Sequence, residues 1–289
     1  MTNGIILKGI GGFYYVQTDL GIIQCKAMGR LRKENITPVT GDMVKIRISE
    51  EDPKEGAIEE IAKRKNSLMR PPVANVDAIA VVISTANPKP DFLMVDKLIA
   101  TAEYIKIRII IVVNKIDIAS GDEIINIYKK AGFETVKTCS QTNEGIDELK
   151  SMMTDRITSF AGNSGVGKTS ILNCFGFDLL TGDVSKINRG KHTTRHSELL
   201  PFKQNRYVID TPGFSLLEIT SIRSNQLKDY FREFARFENC RFADCIHIGA
   251  KPNICGVGAA LEKGEICHSR YKSYMDVYND LKDIKEWEK

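Results

Sequence analysis

The stretch ITSFAGNSGVGKTS, residues 157–170, decides the fold class because it joins an apolar strand to a glycine-rich loop and a helix. Residues 162–169 fit the pattern G-x-x-x-x-G-K-[ST], in which backbone N–H groups curl around phosphate oxygens at a helix N-terminus. Lys168 would neutralise the β and γ oxygens, and the Thr169 hydroxyl would ligate Mg²⁺. A glycine-rich turn without a ligand is the alternative, and the flanking strand and helix disfavour it. The predicted phosphate-binding residues are Gly162, Asn163, Ser164, Gly165, Val166, Gly167, Lys168, Thr169 and Ser170.

Alternating apolar strands and amphipathic helices surround this loop. Strands are expected at residues 76–84, 107–114, 134–140, 156–162 and 206–210, and helices at 91–104, 122–131, 146–153 and from Thr169 onward. Unbroken apolar strands are typical of a parallel sheet with both faces covered. The central part of the chain is therefore predicted to be an α/β nucleotide-binding domain.

The segment Asn114-Lys115-Ile116-Asp117 follows an apolar strand, at the sheet edge where ligands bind. There the Asp117 carboxylate can accept hydrogen bonds from both N1–H and N2–H₂ of guanine, a donor pair that adenine lacks. If Asp117 is buried, bound ATP would leave its carboxylate without hydrogen-bond donors, so the site would reject ATP. Asn114 is expected to support the other edge of the base, and Lys115 to lie along it. The predicted base-binding residues for GTP and GDP are Asn114, Lys115, Ile116 and Asp117, with Cys139 and Ser140 of the TCS segment.

The segment Asp210-Thr211-Pro212-Gly213 follows the strand RYVID. Asp210 can hold Mg²⁺ through water, and the Gly213 N–H can meet the γ-phosphate. An ordinary turn with a structural aspartate is the alternative, and it is less attractive beside the two other motifs. We therefore predict that Asp210 and Gly213 belong to the nucleotide site.

Between the P-loop and Asp210 lies a long basic stretch, KINRGKHTTRH, residues 186–196. In a GTPase, a mobile segment here carries a threonine that completes the Mg²⁺ shell, and we expect Thr194 to do so. No glutamine follows Gly213, so unaided hydrolysis should be slow. His192 is the nearest residue to orient or deprotonate the attacking water. A solvated surface, or a structural or RNA-facing His192, is the alternative interpretation.

The order of these segments is unusual. In an ordinary GTPase the P-loop opens the domain and the N-K-x-D element closes it, whereas here residues 114–117 and 138–140 precede the P-loop. A circular permutation explains this order, since the termini of compact domains lie near one another. Asp210 then leads almost directly into the C-terminal region, so nucleotide state is expected to move that region.

Residues 1–67 contain short β-like runs at 5–10, 13–18, 22–27, 43–48 and 57–61. Strands of this length in so short a segment predict a small closed barrel, with an OB fold as the leading interpretation. RNA contact by basic and aromatic side chains is one hypothesis, and a mixed solvated surface over core aromatics is the other. The residues concerned are Arg30, Arg32, Lys33, Lys63, Arg64, Lys65, Phe13, Tyr14 and Tyr15.

Composition excludes several protein classes. The 289 residues are 42% hydrophobic and 27% charged, close to average globular usage, which excludes disordered, collagen-like and mucin-like chains. The net charge of +4 neither requires nor excludes a nucleic-acid partner. No apolar run approaches the roughly 18 residues of a membrane span, and the N-terminus lacks a secretory pattern. We therefore expect a cytoplasmic protein without membrane contact.

Seven cysteines, an odd number without a signal peptide, argue against a disulfide framework. The pattern Cys240-x₄-Cys245-x-His247-x₇-Cys255 places three thiolates and one imidazole within sixteen residues, the ligand set of a closed structural zinc site. We predict one Zn²⁺ bound by Cys240, Cys245, His247 and Cys255. Cys267 or His268 in place of Cys255, or unrelated buried cysteines, are the alternatives.

In the order barrel, NKID, TCS, GNSGVGKTS, GKHTTRHSEL, DTPGF and cysteine-rich tail, the whole chain resembles the RsgA (YjeQ) family of circularly permuted GTPases. The resemblance implies an rRNA-touching OB domain, a central GTPase and a C-terminal zinc domain, acting late in small-subunit maturation in the bacterial cytoplasm. The histidine matching His192 is given the water-orienting role in that family. This chain departs from the family in the gap before Cys255, which is two residues longer.

The predicted fold class is α/β: a central circularly permuted P-loop GTPase domain at residues 68–218, with an N-terminal OB-type barrel at 1–67 and a C-terminal α-helical zinc-binding domain at 219–289. We expect a monomeric GTPase that binds the small ribosomal subunit and its rRNA, with subunit-stimulated hydrolysis. The predicted catalytic residues are Lys168, His192 and Thr194. An RNA-binding module in which nucleotide only modulates affinity is the second hypothesis. A P-loop ATPase or small-molecule kinase is the third, which Asp117 disfavours.

Overall fold

A computed structural model describes residues 1–33, 36–69, 72–179, 197–203, 205–210, 219–249 and 251–283. Five strands near the N-terminus close into a barrel: β1 (Thr2–Ile10), β2 (Phe13–Thr18), β3 (Gly21–Ala27), β4 (Met43–Ile48) and β5 (Glu55–Ile61). The order β1-β2-β3-β5-β4 closes through the antiparallel pair of β1 and β4, while β3 and β5 are parallel. Alternate side chains such as Ile6, Val16 and Ile46 fill the interior. The predicted OB-type barrel is confirmed.

A short helix and a short hairpin accompany the barrel. Helix α1 (Gly29–Lys33) follows β3, and the strands β6 (Ser67–Met69) and β7 (Pro72–Ala74) pair in antiparallel fashion after β5. Arg64 follows β5, and its guanidinium donates to both carboxylate oxygens of the fully buried Asp42, at 2.7 and 2.8 Å.

A six-stranded sheet has the order β10-β9-β8-β11-β13-β12. Its strands are β8 (Ala78–Ser84), β9 (Arg108–Asn114), β10 (Glu134–Thr138), β11 (Ile157–Ala161), β12 (Leu199–Lys203) and β13 (Arg206–Asp210). The strands β8 and β11 are buried along their whole length, which explains their unbroken apolar sequence. The pairs β9·β10 and β11·β13 are parallel, as predicted. The sequence analysis missed β12, an edge strand antiparallel to β13.

Helices follow several of these strands: α2 (Phe92–Tyr104), α3 (Asp122–Ala131), α4 (Ile146–Met152) and α5 (Lys168–Cys174). Asp91 caps α2 by accepting a hydrogen bond from the Met94 N–H, which fixes the start of this helix. Each predicted helix boundary agrees with the observed one to within one residue.

The C-terminal region is helical, as predicted. It contains 3₁₀ segments at Ile219–Ser221, Ser224–Tyr230 and Phe234–Phe237, then α6 (Gly256–Glu262) and α7 (His268–Lys282). Its core is largely aromatic: the Tyr274 ring packs edge-on against Phe231 and Phe234, with centroid distances of 5.1 and 4.9 Å.

A buried ionic cluster attaches α7 to α2. The Arg270 side chain, 1% exposed, donates to Asp96 at 2.6 Å and to Glu233 at 2.7 Å. The Tyr128 hydroxyl on α3 donates to the same Asp96 oxygen at 3.0 Å. Removing one partner would leave buried charges uncompensated. The attachment of α7 to α2 therefore depends on every member of this cluster.

The chain divides into two compact units. One contains the barrel, β6, β7 and β11 to β13, and the other contains β8 from Ile79 onward, β9, β10, α2 to α7 and the 3₁₀ segments. The predicted domain limits at residues 67 and 218 remain a prediction. Among the described residues, none of the helices has both the length and the apolar character that crossing a membrane requires.

Candidate nucleotide site and metal centre

The loop at residues 162–167 has a conformation that only glycine accepts at two positions. Gly162 has φ +134°, and a Cβ there would lie 2.2 Å from the Val82 carbonyl oxygen. Gly167 has φ +98°, and a Cβ there would lie 2.3 Å from Asn114 Nδ2. Both glycines of the motif are therefore required by close approach as well as by backbone conformation.

Lys168 begins α5 and turns its ammonium group back over the loop. Its Nζ donates to the carbonyl oxygens of Gly162 at 2.8 Å and Asn163 at 2.9 Å. Thr169 and Ser170 lie half-buried in the first turn of α5. The arrangement places a cation and the first N–H groups of a helix beside one glycine-rich loop, which suits a phosphate chain.

Asn114, at the end of β9, is fully buried and joins three segments. Its Nδ2 donates to the Val166 carbonyl oxygen at 2.9 Å, and its Oδ1 accepts from the Thr138 hydroxyl at 3.1 Å. The sequence analysis expected Asn114 to support the base. That role stays a prediction, and the contacts of Asn114 within the protein hold the P-loop against the ends of β9 and β10.

Lys115 makes a second link. Its Nζ donates to the Gly165 carbonyl oxygen at 2.7 Å and to the Asn87 carbonyl oxygen. The Thr85 hydroxyl donates to the Lys115 carbonyl oxygen at 2.6 Å. The sequence analysis missed Thr85 and Asn87, although the run STANPKP at the end of β8 signals a loop at the ligand-binding edge of the sheet.

Asp117 is exposed, so the expectation of a buried carboxylate is wrong for this structure. The residue lies three positions beyond the end of β9. Its Oδ1 lies 3.3 Å from the thiol of Cys139, which is 1% exposed. The Cys139 N–H donates to the Glu144 carbonyl oxygen at 2.9 Å, and Cys174 Sγ lies 3.4 Å from the Ser140 carbonyl oxygen. The TCS segment therefore contacts Asp117 through the Cys139 thiol.

Cys240, Cys245, His247 and Cys255 form a compact cluster whose ligand atoms all lie within 4.8 Å of one another. Cys240 Sγ lies 3.8 Å from Cys255 Sγ, and His247 Nδ1 lies 3.5 Å from each of these sulfurs. A tetrahedron with Zn–S bonds of about 2.3 Å and a Zn–N bond of about 2.0–2.1 Å has edges of about 3.8 and 3.5 Å. The cluster could hold a metal ion of this size.

Neighbouring groups fix the backbone of the cluster. The Tyr271 hydroxyl donates to the His247 carbonyl oxygen at 2.7 Å, and Lys228 Nζ donates to the Cys245 carbonyl oxygen at 3.1 Å. Burial lowers the pKa of His247, which keeps its imidazole neutral and able to ligate. Burial raises the pKa of the Cys255 thiol to about 11. A cation would be needed to convert that thiol to a thiolate near neutral pH.

Cys255 is the fourth member of the cluster, and the alternatives lie elsewhere. Cys267 precedes α7, with its sulfur 4.0 Å from the Ile127 carbonyl oxygen. His268 is the first residue of α7 and does not belong to the cluster found among the described residues.

Residues 61–220 match the family model described as RsgA GTPase, and residues 3–58 match that of the RsgA N-terminal domain. The chain belongs to the RsgA family. Its predicted activity, GTP hydrolysis, is thereby confirmed at the level of the family.

Relatives and solved structures agree with this RsgA assignment along the whole chain. The "Small ribosomal subunit biogenesis GTPase RsgA" of Caldanaerobacter subterraneus subsp. tengcongensis is 46% identical, over 99% of this chain and 97% of the relative. The protein of the same name from Ruminiclostridium cellulolyticum is 48% identical, over 99% and 96%.

Two solved structures show the same fold. YjeQ from Thermotoga maritima superposes with a TM-score of 0.84 at 35% identity, covering 98% of this chain and 99% of that one. YloQ, described as a circularly permuted GTPase, gives 0.81 at 32% identity, covering 99% and 96%.

In this RsgA chain, the basic residues for which RNA contact is one hypothesis differ in their ion pairs and in their exposure. Arg64 and Lys65 form ion pairs with Asp42 and Asp77. Lys63 is exposed. Phe13, Tyr14 and Tyr15 are each half-buried. The side chains of Arg32 and Lys33 are outside the description, and Arg30 is exposed.

Several predicted residues of the RsgA nucleotide site lie outside the described residues, namely His192, Thr194 and Gly213. Asp210 ends β13, and its side chain is likewise outside the description. Their roles stay predictions.

Proposed function

We propose that this chain binds GTP with Mg²⁺ and hydrolyses it on the small ribosomal subunit, timing a late step of that subunit's maturation. One observation carries the nucleotide part of the proposal. Asn114 and Lys115, which begin the guanine-reading segment, hydrogen-bond directly to the P-loop carbonyls of Val166 and Gly165. The base-reading and phosphate-binding loops thus form one frame. The name shared by the curated relatives, "Small ribosomal subunit biogenesis GTPase RsgA", supports the small ribosomal subunit as the partner.

In this frame, Asp117 accepts the N1–H and N2–H₂ of guanine, while Cys139 and Ser140 line the base. Backbone N–H groups of residues 163–170 and the Lys168 ammonium bind the phosphates. The hydroxyls of Thr169 and Thr194 and the carboxylate of Asp210 supply the hard oxygen ligands that Mg²⁺ prefers. Bound Mg²⁺ neutralises charge on the β and γ oxygens. His192 orients the water, with Gly213 donating its N–H to the γ-phosphate.

The C-terminal cluster holds one structural Zn²⁺ in this proposal. Its Cys₃His composition and its S···S and S···N distances fit tetrahedral zinc. The ion would serve stability rather than hydrolysis, since four protein ligands leave no open position for water.

The proposal also includes the division into an OB domain at 1–67 that contacts rRNA, a GTPase domain at 68–218 and a zinc-binding helical domain at 219–289. The two family matches, which meet near residue 60 and end at 220, support these limits. We propose that the chain acts as a monomer in the cytoplasm.

The test exchanges the base-reading carboxylate for an amide. Asp117→Asn should lose GTP affinity and gain affinity for xanthosine triphosphate, because an amide can donate to the O2 that xanthine carries in place of the guanine amine. Asp147→Asn is the matched control, since that carboxylate is 98% exposed on α4. Nucleotide titrations measured by calorimetry give both affinities. Unchanged GTP affinity in Asp117→Asn would contradict the assignment.

A further inference from the structure

An open cavity of about 720 Å³ lies in the unit that contains the barrel. Its wall comprises the first residues of β1, the end of β2, the residues just before β11, and the tip of the β12–β13 hairpin. It shares no residue with the nucleotide frame or the metal cluster. The nucleotide and metal sites therefore do not use this cavity.

Three cations line this cavity, from two separate segments: Arg156 before β11, and Lys203 and Arg206 on the hairpin. Asp19 is the acidic residue in the wall. Within the described part of the chain, no carboxylate forms an ion pair with any of the three cations. Positive charge is therefore concentrated at the cavity.

Several other cations in the same unit form ion pairs with acids. Lys8 pairs with Glu198 at 2.7 Å, and Lys45 with Glu60 at 2.8 Å. Arg64 pairs with the buried Asp42 at 2.7 Å. Like charges that share one cavity without a described carboxylate partner repel one another, and a bound polyanion would relieve this repulsion.

The chemistry of the wall favours a nucleic-acid backbone. Guanidinium groups bind phosphate oxygens in pairs, and an ammonium group adds a point charge. The amides of Asn3 and Gln17 line the wall beside them and can bind ribose hydroxyls. An open groove lined by cations from separate segments is the type of surface that binds the backbone of a single strand.

We propose that this groove binds the sugar–phosphate backbone of a single-stranded rRNA segment. The inference rests on the proposed function, and it assigns part of the subunit contact to Arg156, Lys203 and Arg206. Arg206 also donates to the Met153 carbonyl oxygen at 3.2 Å, which restrains its side chain.

The test uses the full chain and purified small ribosomal subunits, with a non-hydrolysable GTP analogue and a series of salt concentrations. Arg156→Ala and Lys203→Ala should each lower the slope of log affinity against log salt by about 0.7, and the affinity at 0.1 M salt about fivefold. Lys272→Ala, which removes an exposed charge from α7, is the matched control and should change neither value. GTP binding without subunits should be unchanged in all three.

The outcomes separate this inference from the function on which it rests. If the unsubstituted chain binds subunits but both groove variants behave like Lys272→Ala, the groove assignment is overturned and the GTPase proposal stands. If the unsubstituted chain does not bind subunits, both are overturned. A photoreactive amino acid in place of Lys203 should crosslink to rRNA, and crosslinking to a ribosomal protein instead would contradict the choice of ligand.

Discussion

The nucleotide frame and the cysteine–histidine cluster are built in opposite ways. The frame draws Thr85, Asn114, Thr138 and the P-loop from widely separated parts of the chain and joins them by hydrogen bonds within the protein, including one from the Lys115 ammonium. The cluster draws its four side chains from residues 240–255, and their ligand atoms mainly face one another. The first arrangement is complete without a ligand, whereas the second brings together thiols that are weak donors and acceptors.

This difference means that the two regions should respond differently to loss of their ligands. Nucleotide removal leaves the frame with its hydrogen bonds satisfied. Metal removal leaves three sulfurs and an imidazole packed together with little attraction among them.

Loss of metal should disrupt the C-terminal region and spare the nucleotide frame. Cys240→Ser or His247→Ala should release about one Zn²⁺ per chain, because structural zinc contributes on the order of 10 kcal/mol to the folding of small domains. Metal analysis and hydrogen exchange of residues 219–283 are the measurements. Cys267→Ser, outside the cluster, should retain the metal. Retention of metal by Cys255→Ser together with its loss from Cys267→Ser would show that the fourth ligand is misassigned.

Replacement of Arg270 tests how firmly the helical region is attached to α2. Arg270→Met should lower the free energy of unfolding by about 3–5 kcal/mol, since it leaves Asp96 and Glu233 buried without their cation. Lys97→Met is the matched control, because it breaks the exposed pair with Asp280 and should cost at most about 1 kcal/mol. Urea unfolding measures both. Equal decreases in the free energy of unfolding would mean that the buried cluster does not attach the helical region to α2.

A pair of glycines tests the contact between the base-reading and phosphate-binding loops. Gly167 and Gly176 have φ of +98° and +97°, but a Cβ would meet Asn114 only at Gly167 and open space at Gly176. Gly176→Ala should lower the free energy of unfolding by about 1–2 kcal/mol, because of the backbone conformation alone. Gly167→Ala should cost a further 1–3 kcal/mol or so for the clash, and should also weaken GTP binding. Similar losses in both variants would show that the loops are not in contact.

The smallest effect should come from the thiol beneath Asp117. Cys139→Ala removes the group 3.3 Å from the carboxylate and should weaken GTP binding about two- to fivefold, the range of a weak hydrogen bond. Cys139→Ser keeps a donor and should stay within about twofold of the original affinity. Calorimetric titration separates the two. Equal affinities for the alanine and serine variants would remove Cys139 from the positioning of Asp117.

Sequence patterns predicted the elements and the motifs because these are local. The strands β8 and β11 are uniformly apolar, the P-loop motif lies between a strand and a helix, and the cluster has short spacings. What they missed depends on contacts between distant segments. The pairing of Arg270 with Asp96 spans 174 residues, and the contact of Asn114 with Val166 spans 52. Neither property leaves a local pattern in the chain.

We propose that the small ribosomal subunit activates GTP hydrolysis by this chain. Single-turnover hydrolysis of GTP, measured with purified small subunits, with large subunits and without ribosomes, tests it most directly. External activators of GTPases can supply up to about 10⁵-fold. We predict strong stimulation by small subunits alone, which weakens as salt rises because the contact is electrostatic. Equal hydrolysis rates under the three conditions would contradict activation and favour an RNA-binding module in which nucleotide only adjusts affinity.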